Sequence, residues 1–345
     1  MSQFLSQCST DVVVGAAANL LAGNLVAFPT ETVYGLGADA SNALAVAKIY
    51  AAKGRPADHP LIVHVASMGA LDDWAAEVPE YAISLARDFW PGPMTLVVRR
   101  SKLAGDFVTG GQDTVGIRVP SHPVALALLD AFAQIGGKGI AAPSANRFGS
   151  VSPTNAQAVV AELGEYLSDQ DQILDGGPCD VGLESTIIDC TGDAPKILRP
   201  GAITEEMINK STKITLGSRF VYTDEDLPGI TINDKPIEIQ TIRVSGSLEN
   251  HYSPKATVLL DQSPLPGQGF IAMADIASGE GVIRLAEPAT HQEFARVLYA
   301  ALRAADEQGL ETVVVQQPLG VGIAIAIRDR LERAAKNNPK VKAPL

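Results

Sequence analysis

Paired cysteines are missing from this chain. Its 345 residues include three cysteines, Cys8, Cys179 and Cys190, which are widely spaced and form no C-x-x-C motif. An odd and scattered set of cysteines argues against a disulfide framework and against a structural zinc site. The cysteine pattern therefore fits a reducing compartment.

A long apolar run is also absent. The most apolar early stretch, Val12 to Phe28, is interrupted by asparagine and glycine, so it falls short of the roughly 18 apolar residues that a membrane span needs. No Lys or Arg precedes this stretch and no small-residue cleavage site follows it, which is unlike a secretory signal. We expect a cytoplasmic protein without a membrane partner.

Positive charge is scarce, and two nucleotide-binding motifs are lacking. The formal net charge is −12, which disfavours broad binding to a nucleic-acid backbone, so any basic site must be local. The chain has neither a G-x-x-x-x-G-K-[ST] loop nor a G-x-G-x-x-G motif that opens a helix. A nucleotide site, if present, must be built in another way.

Short β-branched runs alternate with helical patterns, as in an α/β protein with helices packed on a sheet. Predicted strands of the first half are Leu25–Phe28, Leu61–Val65, Thr95–Arg99, Val115–Val119 and Ser185–Asp189. Predicted helices are Ala43–Ala52, Val124–Ala133 and one that begins at Thr154 as N-cap, with Gln157 completing a capping box and Gly164 ending it.

A second α/β pattern follows a long segment without a strong period. Its predicted strands are Thr257–Leu260, Phe270–Met273, Val282–Leu285 and Thr312–Val315, with one helix opened by Thr290 and Glu293 and a last helix over Ile323–Lys336. We predict a first domain over 1–205, an interdomain linker or lid over 206–255, and a small domain over 256–345.

Two clusters of hydroxyls and cations follow predicted elements in the first third of the chain. PTETVYGLG, from Pro29 to Gly37, offers Thr32 and glycines that allow close backbone approach, although Thr and Glu here could equally cap a turn. KGRPADHPLIVHV supplies Lys53, Arg55, His59 and His64. Lys53 could simply complement a helix dipole, and nothing nearby supplies the further ligands that a metal on the histidines would need.

A third cluster contains an arginine within a strand. Arg118 lies between apolar residues in DTVGIRVP, where a guanidinium needs an anionic partner. That partner could be a structural carboxylate, or the carboxylate or phosphate of a ligand. Thr114 precedes Arg118, and APSANRFGSVSPT adds Ser144 and Ser152.

The fourth cluster, GGPCDVGLESTIIDC with LRPGAIT, contains Ser185, Thr186 and Arg199. Its Cys179 is best explained as a small packed thiol, since nothing in the sequence lowers the pKa of this residue. The four clusters together predict a site, rich in hydroxyls and cations, that binds a small anionic ligand.

Read in order, these clusters resemble the threonylcarbamoyl-AMP synthase family, whose catalytic unit is the YrdC-like domain. The resemblance spans about residues 10 to 205 and depends on PTETVYGLG, KGRP with PLIVHV, FWPGPMTLV, VGIRVP, APSAN and GLESTIID. The remainder, from HYSPKA to GVGIAIAIRDRLERAA, is similar to the long form of the synthase. The resemblance implies a YrdC-like twisted mixed sheet with helices around a concave site, and a smaller Rossmann-like α/β domain.

The resemblance also implies roles for individual residues. The positions that match those holding L-threonine are Thr32, His64, Arg118, Ala142 and Ser185. The positions that match those around ATP are Arg55, His59, Thr114, Ser144, Ser152, Arg199 and Tyr252. Lys53, Arg55 and Arg118 are the expected catalytic cations, and His59 departs from the family pattern, which commonly has Asn there.

The implied reaction joins L-threonine, bicarbonate or CO₂, and ATP into an adenylate and pyrophosphate, for N6-threonylcarbamoyladenosine in transfer RNA. It implies Mg²⁺ held mainly by the ATP phosphates, no metal site on the protein, and a product that passes to the tRNA threonylcarbamoyl-transferase machinery. Two other interpretations remain: an RNA- or translation-factor-binding module, and a carbamoyl-transferring hydrogenase-maturation protein. The acidic composition disfavours the first, and the lack of paired cysteines and further domains disfavours the second.

Overall fold

The computed structural model describes residues 5–214, 231–232, 235–236, 242–244 and 252–336. Much of the predicted linker over 206–255 therefore lies outside the described residues. No helix among those described is long and apolar enough to span a membrane.

Most strands lie in the first part of the chain. They are β1 (Leu5–Gln7), β2 (Val26–Phe28), β3 (Gly35–Asp39), β4 (Ile62–His64), β5 (Ala75–Glu77), β6 (Met94–Arg100), β7 (Thr114–Arg118), β8 (Ile140–Ala141), β9 (Gln172–Asp175), β10 (Thr186–Asp189) and β11 (Lys196–Arg199). They form one sheet in the order β1-β9-β2-β3-β8-β4-β7-β6-β10-β11, with β5 paired to β6. The sheet contains parallel pairs, such as β4 with β7, and antiparallel pairs, such as β6 with β7, so it is mixed, as predicted.

Helices cover both faces of this sheet. They are α1 (Thr10–Leu21), α2 (Ala43–Lys53), α3 (Leu71–Trp74), α4 (Glu80–Phe89), α5 (Asp106–Thr109), α6 (Pro123–Gln134), α7 (Ala156–Leu163) and α8 (Glu205–Thr212). Successive strand residues point to opposite faces. Val26 and Phe28 accordingly pack with α1 and α6, whereas Leu25 and Ala27 belong to the core that contains α2 and α4.

The second domain has a parallel sheet with two helices. Its elements are β14 (Thr257–Leu260), β15 (Gly269–Ile271), β16 (Ile283–Ala286), α9 (His291–Glu307), β17 (Thr312–Val315) and α10 (Ile323–Lys336), after the short antiparallel pair β12 (Thr231–Ile232) and β13 (Lys235–Pro236). The sheet order β14-β17-β15-β16, with every pair parallel, confirms the predicted small α/β domain. Thr290 caps α9 by accepting a hydrogen bond from the amide of Glu293, as predicted.

One local prediction was wrong. The N-cap of α7 is Asn155, not Thr154, because the Asn155 side chain accepts from the amide of Ala158 at 2.8 Å while Thr154 is buried. Gly164 ends α7 in a right-handed conformation and begins a 3₁₀ turn. Several helices were not predicted, among them α1, α4 and α8, and Ile208 is the one buried residue of α8.

Candidate active site

A cleft of about 460 Å³ opens at the ends of β4 and β7, beside the loop after β2. It brings together eight of the predicted site residues: Thr32, His64, Arg118, Ala142, Ser144, Ser185, Arg199 and Tyr252. These residues are contributed by loops and strand ends far apart in sequence, which is usual where a rigid sheet supports a site. The predicted threonine set and part of the predicted ATP set therefore share one cavity.

The pairing of β4 with β7 places two of these side chains side by side. His64 lies opposite Arg118 in the parallel register, so both side chains emerge on the same face at the ends of their strands. Burial and the nearby guanidinium lower the pKa of His64 to about 3. The imidazole is therefore neutral at physiological pH, and its Nδ1 is a buried atom without a hydrogen-bond partner in the described structure.

Arg118 is paired with a carboxylate of the protein itself. Its Nη2 lies 2.5 Å from Oε1 of Glu31, and Oε2 of Glu31 accepts from the amide of Ser121 at 3.0 Å. Both side chains are almost fully buried. Of the two partners that the sequence left open for Arg118, the structural carboxylate is thus present. Sequence reasoning missed Glu31, although it stands inside PTETVYGLG and a strand-borne arginine signals that such a partner exists.

Thr30 and Thr32, two threonines in the same loop, have different hydrogen-bond partners. Thr30 Oγ1 donates to the carbonyl of Val33 at 2.7 Å and accepts from the Val33 amide at 3.2 Å, so it closes the turn. Thr32 Oγ1 lies 2.8 Å from Thr30 Oγ1 and lines the cleft. The turn-capping interpretation therefore applies to Thr30, while the Thr32 hydroxyl is held toward the cavity.

The loop that contains Ser185 is held from two directions. Ser185 Oγ lies 2.8 Å from Oγ1 of Thr95 on β6. Arg199 donates through Nε and Nη2 to the Ser185 carbonyl at 3.1 and 2.9 Å, and through Nη2 to its hydroxyl at 3.2 Å. Burial lowers the pKa of Arg199. Arg199 thus fixes the Ser185 loop in addition to lining the cleft.

Lys53 does not line this cleft, although it is a predicted catalytic cation. It is the last residue of α2, which Gly54 ends in a left-handed conformation, and its side chain is buried. The ammonium donates to the carbonyl of Ser144 at 2.6 Å and to that of Asn146. Burial and the neighbouring Arg55 hold the pKa of Lys53 well below its usual range. In this structure Lys53 therefore orders the APSAN backbone behind the cleft.

Arg55 and His59 lie beside Phe148 next to the cleft. The Arg55 guanidinium is 5.9 Å from the centre of the Phe148 ring, and the His59 ring meets the same ring edge-on at 5.4 Å. Arg55 Nη2 donates to the carbonyl of Pro60 at 3.0 Å, while its buried Nε has no hydrogen-bond partner within the described residues. Burial lowers the pKa of Arg55 to about 10, so it remains a cation at neutral pH.

Thr114 and Ser152 lie just outside the main cleft. Thr114 lines a neighbouring cavity of about 300 Å³ that shares Ile62 with the cleft. Linker residue Arg243 also lines this second cavity, and its amide donates to Oε1 of Gln112 at 2.7 Å. Ser152 is buried, and its hydroxyl donates to Oε1 of Glu184 at 2.7 Å.

Tyr252 is the linker residue that enters the cleft. It is 1% exposed and adopts a positive φ of 66°, which only a tightly constrained tyrosine keeps. Its ring stacks on Tyr299 of the second domain at 5.7 Å. Tyr252 is therefore a buried part of the cleft wall and not a surface side chain.

Neither a metal cluster nor a reactive thiol emerges from the part of the chain that the structure describes. No group of three His, Cys, Asp or Glu side chains there is arranged to hold a metal ion. Cys179 is 1% exposed, and burial raises the pKa of its thiol to about 12, so it is a packed thiol as expected. The polar groups of the site are hydroxyls, cations, one neutral imidazole, and the carboxylates of Glu31 and Glu184.

Comparison with known proteins extends over nearly the whole chain. A family model described as "Telomere recombination" matches residues 18–201, and one described as "Threonylcarbamoyl-AMP synthase, C-terminal domain" matches residues 203–336. The chain is 39% identical to threonylcarbamoyl-AMP synthase of Bacillus subtilis over 341 residues, 94% of this chain and 92% of that protein. It is 38% identical to the synthase of Pyrococcus abyssi, covering 93% of each. The crystal structure of P. abyssi Sua5 with L-threonine superposes with a TM-score of 0.83 at 34% identity, covering 96% of this chain and 97% of that one.

Proposed function

The chain belongs to the threonylcarbamoyl-AMP synthase family in its long, two-domain form, and we propose that its cleft carries out the family's reaction. The protein is a nucleotidyltransferase that makes threonylcarbamoyl-AMP and pyrophosphate from L-threonine, bicarbonate or CO₂, and ATP. The product serves the N6-threonylcarbamoyladenosine modification of transfer RNA.

The observation that carries this proposal is the convergence of Thr32, His64, Arg118 and Ser185 on one cavity. An amino acid offers a carboxylate, an amine and, in threonine, a hydroxyl. Arg118 is the cation suited to the carboxylate, since a guanidinium forms paired hydrogen bonds with both carboxylate oxygens. His64, Thr32 and Ser185 offer neutral donors and acceptors for the remaining groups.

The reaction joins two anions. The neutral amine of threonine first bonds to the carbon of CO₂ and releases a proton, or bonds to the carbon of bicarbonate as water leaves, and either route gives an N-carboxylate. An oxygen of this carboxylate then bonds to the α-phosphorus of ATP as the bond to pyrophosphate breaks. Because both partners are negative, the protein must supply positioning and positive charge, which is how phosphoryl-type transfer is accelerated.

We assign this charge to Arg118 and Arg55, with Arg199 and Lys53 ordering the loops between them. Arg118 lies on the threonine side, while Arg55, together with His59, Ser144, Ser152, Thr114 and Tyr252, belongs to the proposed nucleotide side. The described residues offer no carboxylate cluster for a resident Mg²⁺. We propose that Mg²⁺ enters as MgATP, bound mainly by the phosphates, as part of the substrate, because phosphate oxygens are the hard ligands that this ion prefers.

Selectivity for threonine over serine depends on one methyl group. An apolar pocket discriminates a methyl group by about 1 to 3 kcal/mol, which corresponds to roughly 10- to 200-fold. We therefore expect measurable turnover of serine at high concentration, and the ratio of kcat/KM values for the two amino acids measures it.

The remaining assignments concern partners and domains. We propose boundaries at about 205 and 255, a linker that acts as a lid, a cytoplasmic location, and transfer of the product to the tRNA threonylcarbamoyl-transferase machinery without stable nucleic-acid binding. The buried Tyr252 supports the lid, because a linker residue then forms part of the cavity wall. Unchanged activity after deletion of residues 206–345 would remove the lid proposal.

Pyrophosphate release by the purified protein tests the reaction itself. The complete mixture contains ATP, magnesium, L-threonine and bicarbonate, and matched mixtures omit threonine or bicarbonate. Release that requires both supports the synthase. Release that ignores threonine contradicts it and indicates another carbamoyl acceptor or a nucleotidase, and no release favours a binding module.

A further inference from the structure

Glu184 connects the two domains at the wall of the cleft. It lines the cavity, and Oε1 accepts from Ser152, a residue of the proposed nucleotide side. Its Oε2 accepts from the hydroxyl of Tyr299 at 2.9 Å and from Nε of Arg330 at 2.8 Å. Since both oxygens are already engaged by the protein, Glu184 is suited to hold its neighbours in place rather than to bind a substrate.

Arg330 is the centre of this contact. Its side chain is completely buried, and it contacts three separate parts of the protein. Besides Glu184, Nη2 donates to the carbonyl of Pro200 at 3.0 Å, and the guanidinium lies 5.3 Å from the centre of the Tyr252 ring. Nη1 is paired with Asp329 on the same helix. One side chain of α10 thus contacts the Glu184 loop, the segment before Gly201 and the linker tyrosine.

Tyr299 supports the same two residues from α9. Its hydroxyl bonds Glu184 while its ring stacks on Tyr252 with an interplanar angle of 20°. Burial raises the pKa of Glu184, but Arg330 and Arg199 outweigh burial and lower it to about 2, so the carboxylate stays ionised. The second domain therefore holds both a carboxylate and an aromatic ring that form the cleft wall.

The two domains also contact each other outside this cluster. Arg303 on α9 forms a separate ion pair with Glu162 at 2.8 Å. Leu183 packs in one apolar cluster with Phe294 and Leu298. A buried ion pair contributes little net stability compared with apolar residues of the same volume, because desolvation offsets the attraction. A costly cluster beside a cleft is therefore better explained by the geometry it imposes.

We propose that Arg330 and Tyr299 are positioning residues, contributed by the second domain, that hold Glu184 and Tyr252 and thereby fix the Ser152 loop and the Tyr252 ring beside the nucleotide. The proposal rests on the proposed function, which places ATP at Ser152 and Tyr252. It assigns the small domain a definite part in the reaction: the domain completes the ATP side of the cleft and leaves the threonine side unchanged.

Separate measurements of the two substrates' affinities test this proposal. The variants are Arg330→Met, Arg330→Lys and Tyr299→Phe, with Arg328→Met as the matched control. Arg328 lies on the same helix but donates to the carbonyls of Pro318 and Gly320, away from the cleft. Calorimetry on the full-length protein yields the Kd of a non-hydrolysable ATP analogue and that of L-threonine, and thermal unfolding reports the folded fraction.

We expect Arg330→Met to raise the Kd of the ATP analogue about tenfold or more, with the Kd of L-threonine unchanged within about twofold. Tyr299→Phe removes one hydroxyl and should raise the ATP Kd about threefold without unfolding the protein. Arg330→Lys should recover part of the affinity, because the charge remains while the fork of donors is lost. Arg328→Met should bind both ligands as the wild type does.

Two results would overturn the proposal: folded Arg330→Lys and Tyr299→Phe proteins with wild-type ATP affinity, or equal losses for both ligands. Tyr299→Phe keeps the test valid if Arg330→Met does not fold. Failure of the proposed function is a separate observation, since it appears in the wild type as pyrophosphate release that does not depend on threonine. A selective loss of ATP affinity in the variants would still support the positioning role in that case.

Discussion

The two sides of the cleft are held in different ways. On the proposed threonine side, Glu31 orders Arg118, Thr30 orders Thr32, and Thr95 orders Ser185, and all three partners belong to the first domain. On the proposed nucleotide side, Ser152 bonds the carboxylate of Glu184, which also accepts from Tyr299 of the second domain. The ring of Tyr252 stacks on the ring of Tyr299.

This difference indicates which side is preorganised. The threonine side is complete whenever the first sheet is folded, because its partners lie on that sheet or on loops attached to it. The nucleotide side is complete only when α9, α10 and the linker tyrosine are in place. Substitutions within the first domain should therefore change the affinity for L-threonine and the free energy of unfolding. Substitutions at the domain interface should change the affinity for ATP.

The largest expected effect is that of Arg118→Ala. Loss of the buried guanidinium should raise the Kd of L-threonine about 100-fold, equivalent to about 3 kcal/mol, while the Kd of the ATP analogue changes by less than about threefold. Calorimetry on both ligands measures this, with Arg99→Ala, an exposed arginine of β6, as the control. Equal weakening of both ligands would contradict the division of the cleft into two sides.

The next effect concerns the partner of Arg118. Glu31→Gln leaves the guanidinium buried without its counter-charge, which should lower the free energy of unfolding by about 2 to 3 kcal/mol, measured by urea denaturation. Saturating L-threonine should restore more stability to Glu31→Gln than to the wild type, because the ligand carboxylate supplies the missing anion. An identical response to threonine in both proteins would show that the ligand does not contact Arg118.

The pH dependence of stability should follow His64. The pKa of His64 is about 3 in the folded state and 6.5 ordinarily. Between pH 3 and pH 6.5 His64 is therefore protonated in the unfolded state and neutral in the folded state. The contribution of His64 to the free energy of unfolding is complete above pH 6.5 and is lost as the pH falls toward 3. Relative to His64→Gln, the wild type should lose about 2 kcal/mol between pH 7 and pH 5.

Urea midpoints at several pH values measure this loss, and the other four histidines cancel because both proteins contain them. The contribution of Glu184 should respond only at lower pH. Glu184 has a lowered folded pKa of about 2 against 4.5, so its contribution is present above 4.5 and is lost as pH falls toward 2. Equal pH dependence of the wild type and His64→Gln above pH 5 would contradict the neutral buried imidazole.

The smallest of these effects is expected for Arg55→Ala. Removal of this cation beside the nucleotide side should raise the KM for ATP about tenfold and leave that for threonine nearly unchanged. Steady-state pyrophosphate release measures both constants, and Arg87→Ala, an exposed arginine of α4, is the control. A rise in the KM for threonine alone would contradict the assignment of Arg55 to the nucleotide side of the cleft.

The sequence by itself predicted the family motifs, part of the strands and helices, and the requirement of Arg118 for an anion. It did so because these properties are local: a strand of alternating apolar residues, a capping threonine at position 290 and an arginine among apolar neighbours can be recognised without their surroundings. Helices α1, α4 and α8 were not predicted, and of these α8 has a single buried residue, Ile208.

Only the tertiary structure decided which groups meet. Glu31 and Arg118 are 87 positions apart, and Glu184 and Arg330 are 146 apart, so no local pattern pairs them. The burial of Tyr252 likewise depends on Tyr299 of the second domain, not on its polar sequence surroundings. A buried charge requires a partner of opposite charge or a hydrogen-bond partner. The sheet order and the docking of the two domains determined which carboxylate pairs with each arginine.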